Sequence, residues 1–356
     1  MRYIIFILLV GLSFYADAQK RVVIEKFTNS SCGVCPNASL ILEDIISRYD
    51  NVIWVSHYKN NGWFDNPLTN DQTAQLWSDL DVPGNPLGMI DRIPDDSFPF
   101  FVSNAWENRI LELLGEEEIS TVTIKNVNYN LASRLISFDT EVLFLENMSA
   151  GDYRVSAMIV EDEVTGQEQS SYYNEVAGHP LEGRGSLIWD YEHPNVVRTI
   201  LDDTWGTEGV VPTIPQANEV YSHSYSYSVP EDYDPRKMKI VVMLTDHDET
   251  NVLNRKVYNA DQVLLKDLGL ELTSAASLLT DLGVSIYPNP VSDRLYVDSI
   301  DGSAQFSIVD INGKLVLEGQ VSSGNGINIS HLDTGTYFLS LQLDSASGVE
   351  RFNIIR

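Results

Sequence analysis

The sequence predicts an α/β domain followed by an all-β sandwich and a second, smaller all-β domain, and three observations carry that reading. Residues from about 20 to 115 alternate strand-like and helix-like stretches. From about 119 to 265 the chain switches to short alternating runs punctuated by Gly, Asn, Asp and Pro, the pattern of antiparallel strands. The remaining stretch, 284–356, reads as about seven further short strands.

The first 18 residues stand apart from all three. They carry one positive charge, Arg2, an apolar run from Tyr3 to Phe14, and the small-residue pattern Ala16, Asp17, Ala18, which together make a secretory signal cut after Ala18. That run is shorter than the roughly 18–20 residues a bilayer span requires, and no later stretch qualifies, so no transmembrane segment is expected in the mature chain. Gln19 follows the cut, so a lipid-modified cysteine at the new N-terminus is not expected. Export also brings the thiols into oxidising conditions, where a close pair persists as a disulfide.

In the domain assigned to 19–117, "RVVIEKF" (21–27) is β-branched and apolar, "NASLILEDIISRY" (37–49) puts Leu40, Ile41, Ile45 and Ile46 on one helical face, and "NVIWVSHY" (51–58) is strand again. A polar helix at about 69–80, the proline-rich "DVPGNPLGMIDRI" and a helix within 103–117 complete it. In the sandwich domain, 119–265, the strands are "STVTIKNVNYNL", "LISFDTEVLFL", "DYRVSAMIVEDEV", "YSHSYSYSV" and "MKIVVMLTD", and the aromatic-rich portion from Ser170 to Thr213 has no clear period. A linker, 266–283, leads to the last domain, where Asn312 and Gly313 supply the positive φ angles of a hairpin turn.

Charge excludes one class of partner. With 51 acidic and 23 basic residues the formal charge is −28, which disfavours any surface that tracks phosphates, so nucleic acid is not expected as a partner. The acidity reads as a solvated exterior. "TDHDET" (245–250) is the densest candidate for metal, but it lacks the glycine and terminal glutamate of an EF-hand loop, and neither a metal nor a cofactor is expected.

The only two cysteines, Cys32 and Cys35, open the first predicted helix. A lone C-x-x-C is equally open to a zinc half-site, a structural link or redox chemistry; the six His show no second close pair to complete a zinc site, and the order strand, pair, helix, strand is what points to redox. Cys32, at the exposed end of the helix dipole, is the expected attacking nucleophile, and Cys35, one turn on, the resolving thiol. Gly33 permits close approach, and Pro36 fits a first helical turn.

With "VVIEKF", "CGVC" and "GNPLGMIDR", the first segment resembles the thioredoxin superfamily. That resemblance implies a cis-proline facing the disulfide and holding the backbone of a bound partner chain, and Asn85–Pro86 matches its position. It also implies a buried acid on the first strand, where this sequence has Lys26 with Glu25 beside it, and Pro36 stands where thioredoxins have a lysine after the second cysteine. Over the first two segments, "IEKFTNSSCGVCPNAS", "VPGNPLGMIDR", "YRVSAMIVEDEVTGQ", "EHPNVVRTIL" and "YSHSYSYSVPEDYDPRKMKIVVML" resemble a Bacteroidota family related to a twenty-eight-kilodalton outer membrane protein, which joins a thioredoxin-like domain to a β-sandwich. The third, through "YPNP" (287–290), "DINGKLV" (310–316) and "LDTGTYFLSL" (332–341), resembles the small, Ig-like type A C-terminal sorting domain of type IX secretion, which implies the secretion machinery as a partner and a cell-surface, outer-membrane-associated or extracellular destination.

Several other residues have two readings. His57 ends a strand, as a proton aid near the disulfide or as a structural histidine; Trp54, Trp63, Trp77 and Trp106 line a groove or fill the core; His193 invites a Ser-His-Asp reading, but no G-x-S-x-G elbow exists. Two functions follow. Either the exported protein exchanges disulfides with protein thiols or disulfides, using Cys32, Cys35 and Pro86, or it is a non-catalytic adhesion or ligand-binding protein in which the pair is a fixed staple.

Overall fold

In the computed structural model the described residues are 20–59, 67–95, 98–130, 133–268, 277–278, 283–300, 302–310, 315–342 and 347–356. The expected signal, Trp63, most of the linker and the Asn312–Gly313 turn lie outside them. The chain is mostly β, with several sheets and a small β domain at its C-terminal end.

The strands and helices expected in the first segment are present as β1 (Val22–Thr28), α1 (Cys35–Arg48), β2 (Val52–Tyr58), α2 (Asp71–Asp79) and α3 (Trp106–Leu114), and the proline-rich stretch adds an unexpected strand, β3 (Leu87–Ile90). Helix α1 buries Ala38, Leu42 and Ile45, while Leu40, Ile41 and Ile46 are only half-buried, so the expected apolar face is rotated toward Leu42. Asn70 caps α2 by accepting the Thr73 N–H at 2.8 Å, which satisfies a donor the helix leaves unpaired.

Next come β4 (Ser120–Asn130), β5 (Leu135–Phe144), β6 (Tyr153–Glu161), β7 (Gln169–Ser170), β8 (Leu187–Ile188), β9 (Val196–Ile200), β10 (Val220–Ser228), β11 (Met238–Asp246) and β12 (Val257–Leu264). Four of them do not form a separate sandwich with β4, β5 and β10. They extend the first sheet into seven strands, in the order β12-β11-β6-β9-β2-β1-β3, while β10-β5-β4 make a second, antiparallel sheet. The division expected between 117 and 119 therefore does not separate the sheets. The joining strand is β9, which lies in the stretch without a clear period; it runs parallel to β2 on one side and antiparallel to β6 on the other.

Burial explains why the two segments share a sheet. Strand β6 is buried at all nine positions and β11 at seven of nine, which marks strands covered on both faces. One face packs Val155, Ala157, Ile159, Ile240 and Val242 against Val122, Phe138 and Phe144 of the three-stranded sheet. On the other, Met158, Val160, Val241 and Met243 continue a core that includes Val23, Phe27, Val55 and Trp77. A third cluster seats Leu42, Ile45, Trp106 and Ile110 from α1 and α3 on Ile24, Trp54 and Ile90.

Gly88 of β3 is packed so closely that a Cβ would lie 2.6 Å from the Trp106 indole nitrogen and 3.1 Å from Ile24 Cδ1. That nitrogen is committed to the Phe101 carbonyl at 2.7 Å, and the ring is fully buried. Gly88→Ala is expected to destabilise the fold by about 1–3 kcal/mol, read as a lower denaturant midpoint at unchanged slope.

The C-terminal domain comprises β13 (Ser277–Leu278), β14 (Ser285–Tyr287), β15 (Arg294–Asp298), β16 (Ser303–Asp310), β17 (Leu315–Ser322), β18 (Gly326–Asn328), β19 (Gly335–Gln342) and β20 (Ser347–Ile354). They form a five-stranded sheet, β13-β20-β19-β16-β17, and a three-stranded one, β14-β15-β18, around a core that includes Leu295, Val297, Ile308, Leu339 and Phe352.

Candidate functional site

The cysteine turn is shaped by the residues before it. Asn29 follows β1, and its side-chain oxygen accepts the Ser31 N–H at 2.8 Å and the Ser31 hydroxyl at 2.9 Å, an Asx turn that reverses the chain. The Cys32 N–H reaches Asn29 O at 3.1 Å, and the Cys35 N–H reaches Cys32 O at 3.3 Å. Helix α1 then begins at Cys35 with Pro36 in its first turn, where no N–H is needed.

Cys32 and Cys35 form a disulfide with Cα atoms 5.4 Å apart. The two sulfurs differ in environment, since Cys32 is half-buried and Cys35 only 1% exposed. Asn85 touches both, its carbonyl oxygen 3.9 Å from Cys32 Sγ and its Oδ1 3.9 Å from Cys35 Sγ. The Asn85–Pro86 peptide is cis, and Pro86 is half-buried. All three residues singled out in the sequence are therefore gathered at one end of β1, α1 and β3.

Lys26 lies under this group. It is 1% exposed, and its ammonium donates to the Cys35 carbonyl at 3.4 Å and to Ser39 Oγ, 5.5 Å from the centre of the Trp54 ring. Burial brings its pKa down to about 7, against an opposing pull from Glu43.

Glu25 points to the opposite face, as strand alternation requires. It binds Arg92 through both carboxylate oxygens, at 2.6 and 2.8 Å, and His57 Nε2 at 3.1 Å. Burial pushes Glu25 up, but the Arg92 guanidinium and the His57 hydrogen bond outweigh it and hold the carboxyl well below the usual range. His57 also meets Thr73 Oγ1 at 3.4 Å and stacks on Phe27. It belongs to this buried ionic cluster on the α2 side, the structural reading of the residue. His193 likewise serves the fold, its ring between Tyr58 Oη at 3.1 Å and Gln167 O at 2.8 Å, with burial lowering its pKa to about 4. Trp54, Trp77 and Trp106 are all buried in the core. In "TDHDET", the Asp248 carboxylate is taken up as acceptor for Thr250, Asn251 and Asn254 in a local turn.

Sequence reasoning missed the residues that flank the turn from the stretch between β6 and β9. Ser170 N–H donates to Ser30 O and Tyr172 N–H to Gly33 O, both at 2.8 Å. Gln169 Nε2 donates to Cys32 O at 3.0 Å, and His179 Nε2 lies 2.9 Å from Asn37 Oδ1. The Tyr172 ring sits where a Gly33 Cβ would go, 2.4 Å from that position, although the residue is 75% exposed. Gly33 is thus needed to seat an aromatic ring from a distant segment. No local pattern in the sequence announces that contact; the aromatic richness of 170–213 was its only trace.

Comparison with protein families matches residues 73–262, more than half of the chain, to the family described as Outer membrane protein Omp28, and residues 285–355 to the Secretion system C-terminal sorting domain. Among solved structures, HBP35 of Porphyromonas gingivalis is 17% identical with a TM-score of 0.56, covering 95% of this chain and 99% of that one, a likeness of fold. A domain of the outer membrane lipoprotein Omp28 from Porphyromonas gingivalis is 14% identical over 42% of this chain and 88% of its own, with a TM-score of 0.25. The curated proteins contain no match.

Proposed function

Because this chain belongs to the Omp28 outer membrane protein family, we propose that it is a surface-exposed protein whose thioredoxin-like first segment exchanges disulfides with other exported proteins. The family and the sorting domain make it an exported protein of the cell surface or outer membrane, handled by type IX secretion. No helix among the described residues is long and apolar enough to cross a membrane.

The observation that carries the exchange reading is the asymmetry of the disulfide. Cys32 is half-buried and Cys35 only 1% exposed, so Cys32 is the side on which a partner thiolate would attack. In the oxidising direction a partner thiolate attacks Cys32 Sγ, the Cys32–Cys35 bond breaks and Cys35 leaves with its electron pair. A second partner thiolate then attacks the partner sulfur of the mixed disulfide and releases Cys32. The partner gains a disulfide, and the pair here becomes two thiols once protons are taken up. Asn85, which touches both sulfurs, and the cis-linked Pro86 after it would hold the partner's backbone.

One observation favours the alternative, a fixed staple in an adhesion or ligand-binding protein. Backbone bonds from Ser170 and Tyr172 already brace the cysteine turn. An insulin-reduction assay separates the two. The expected result is turnover by the unmodified chain and its loss in Cys32→Ser. Absence of turnover, with a reduction potential below about −300 mV, would establish the staple.

A further inference from the structure

We propose that the cavity at the far end of α1 from the cysteines binds a sugar acid, a pyranose carrying one carboxylate, with Lys239 and Lys266 as its anion partners. The site shares no residue with the cysteine turn and does not depend on the exchange chemistry.

In a chain with 51 acidic and only 23 basic residues, "DPRKMK" (234–239) sets Arg236, Lys237 and Lys239 almost side by side. The β11–β12 ladder pairs Lys239 with Leu264, so alternation puts Gln262 on the same face of the sheet, and Lys266 follows in the turn after β12. Ile46 from the last turn of α1, and Asp162 and Glu163 from the turn after β6, complete a cavity of about 390 Å³, the size of a small-molecule site. A protein of formal charge −28 thus gathers four cations against two carboxylates around one hollow.

The commitments of these groups set the charge a ligand should carry. Arg236 is forked onto Asp234, with bonds of 2.9 and 2.7 Å, and Lys237 pairs with Glu163 at 3.1 Å. Lys239 makes no ion pair among the described residues; its ammonium gives one hydrogen bond, to the Trp54 carbonyl at 3.0 Å, and keeps two N–H donors. Burial brings its pKa down to about 8, with Asp162 pulling the other way, so near pH 7 it is a mostly charged group short of a counter-ion. Lys266 has neither an ion pair nor a hydrogen bond among the described residues. Two spare cations beside two carboxylates suit a single negative charge better than a double one, which favours a carboxylate over a phosphate.

The remaining wall specifies what surrounds that charge. Gln262 Oε1 is buried without a partner among the described residues, an acceptor that a ligand hydroxyl would satisfy. The carboxylates of Asp162 and Glu163 add further acceptors, while Ile46, Met238 and Leu264 supply an apolar side. One carboxylate, flanking hydroxyls and a face of C–H groups are the features of a uronic acid.

The test is calorimetric titration of the full exported chain with D-glucuronate, D-glucose, glucose 6-phosphate, and a hyaluronan oligosaccharide that ends in glucuronate. Glucuronate is expected to bind about 10-fold more tightly than glucose, to outcompete glucose 6-phosphate, and to weaken as salt is raised. Lys239→Met, which keeps the buried stem, and Lys266→Gln, an exposed change, should each lower its affinity by about 10-fold. If Lys239→Met does not fold, judged by its denaturant midpoint, Lys266→Gln alone decides. Binding of the oligosaccharide as well as the free acid would support a polysaccharide end as the ligand, and binding of the free acid alone a small molecule. No binding of glucuronate, equal binding of glucose, tighter binding of glucose 6-phosphate, or an affinity unchanged in the folded variants would overturn the proposal.

Discussion

Arg92→Met is expected to destabilise the fold by about 3–5 kcal/mol, the usual loss when one member of a buried ion pair is removed and the other remains. Both side chains of the Glu25–Arg92 pair are 2% exposed, and the guanidinium also lies 5.3 Å from the centre of the Trp205 ring. Methionine keeps most of the stem and its packing, so the loss reports the stranded carboxylate of Glu25. The sign of the pH dependence identifies the cause. In the native protein the Glu25 pKa is depressed, so its contribution is present above the ordinary carboxylate range and is lost as pH falls toward the folded value. Without Arg92 burial dominates and raises that pKa, so the variant should gain stability from this group as pH falls. Urea titrations at pH 7 and pH 5 check it: the gap between native and variant should narrow on acidification, and adding Glu25→Gln to Arg92→Met should recover part of the loss. An equal gap at both pH values would assign the effect to packing.

The same cluster shows how far a sequence reading reaches. Strand β1 and helix α1 were legible because their periods are local: β-branched residues at 22–24, a cysteine pair, then apolar residues at helical spacing. The gathering of Cys32, Cys35 and Pro86 was legible too, through a resemblance carried by "CGVC" and "GNPLGMIDR". Two things were not. The first is β9, five residues long, whose partners β2 and β6 lie far away on either side; its pairing is set by tertiary contacts that no local window contains. Missing it turned one seven-stranded sheet into two expected domains. The second is the contact between Gly33 and Tyr172, where the glycine reads as a loop residue and the tyrosine as an exposed aromatic, and only their meeting gives either a role. Charged residues in apolar strands, Glu25 and Lys26, signalled something unusual on β1, and alternation already placed them on opposite faces; their partners Arg92 and Ser39 had to come from the fold.

Lys26→Met, by contrast, is expected to stabilise the protein by a few kcal/mol near pH 7, because it removes an amine that burial penalises whenever it is charged. Its pKa of 10.5 in the unfolded chain falls to about 7 in the folded one, with desolvation the main cause. Between those values the unfolded state binds more protons than the folded, so native stability rises with pH through that window. Below about pH 7 the penalty is present in full. In the methionine variant this slope should vanish, and thermal melts from pH 6 to pH 10 would show the two curves converging toward the alkaline end. A variant that is less stable at every pH would mean that the Ser39 and Cys35 hydrogen bonds outweigh desolvation. A fold that keeps a costly cation under its only disulfide, where an apolar side chain would be more stable, bears that cost at the one place where its two cysteines meet.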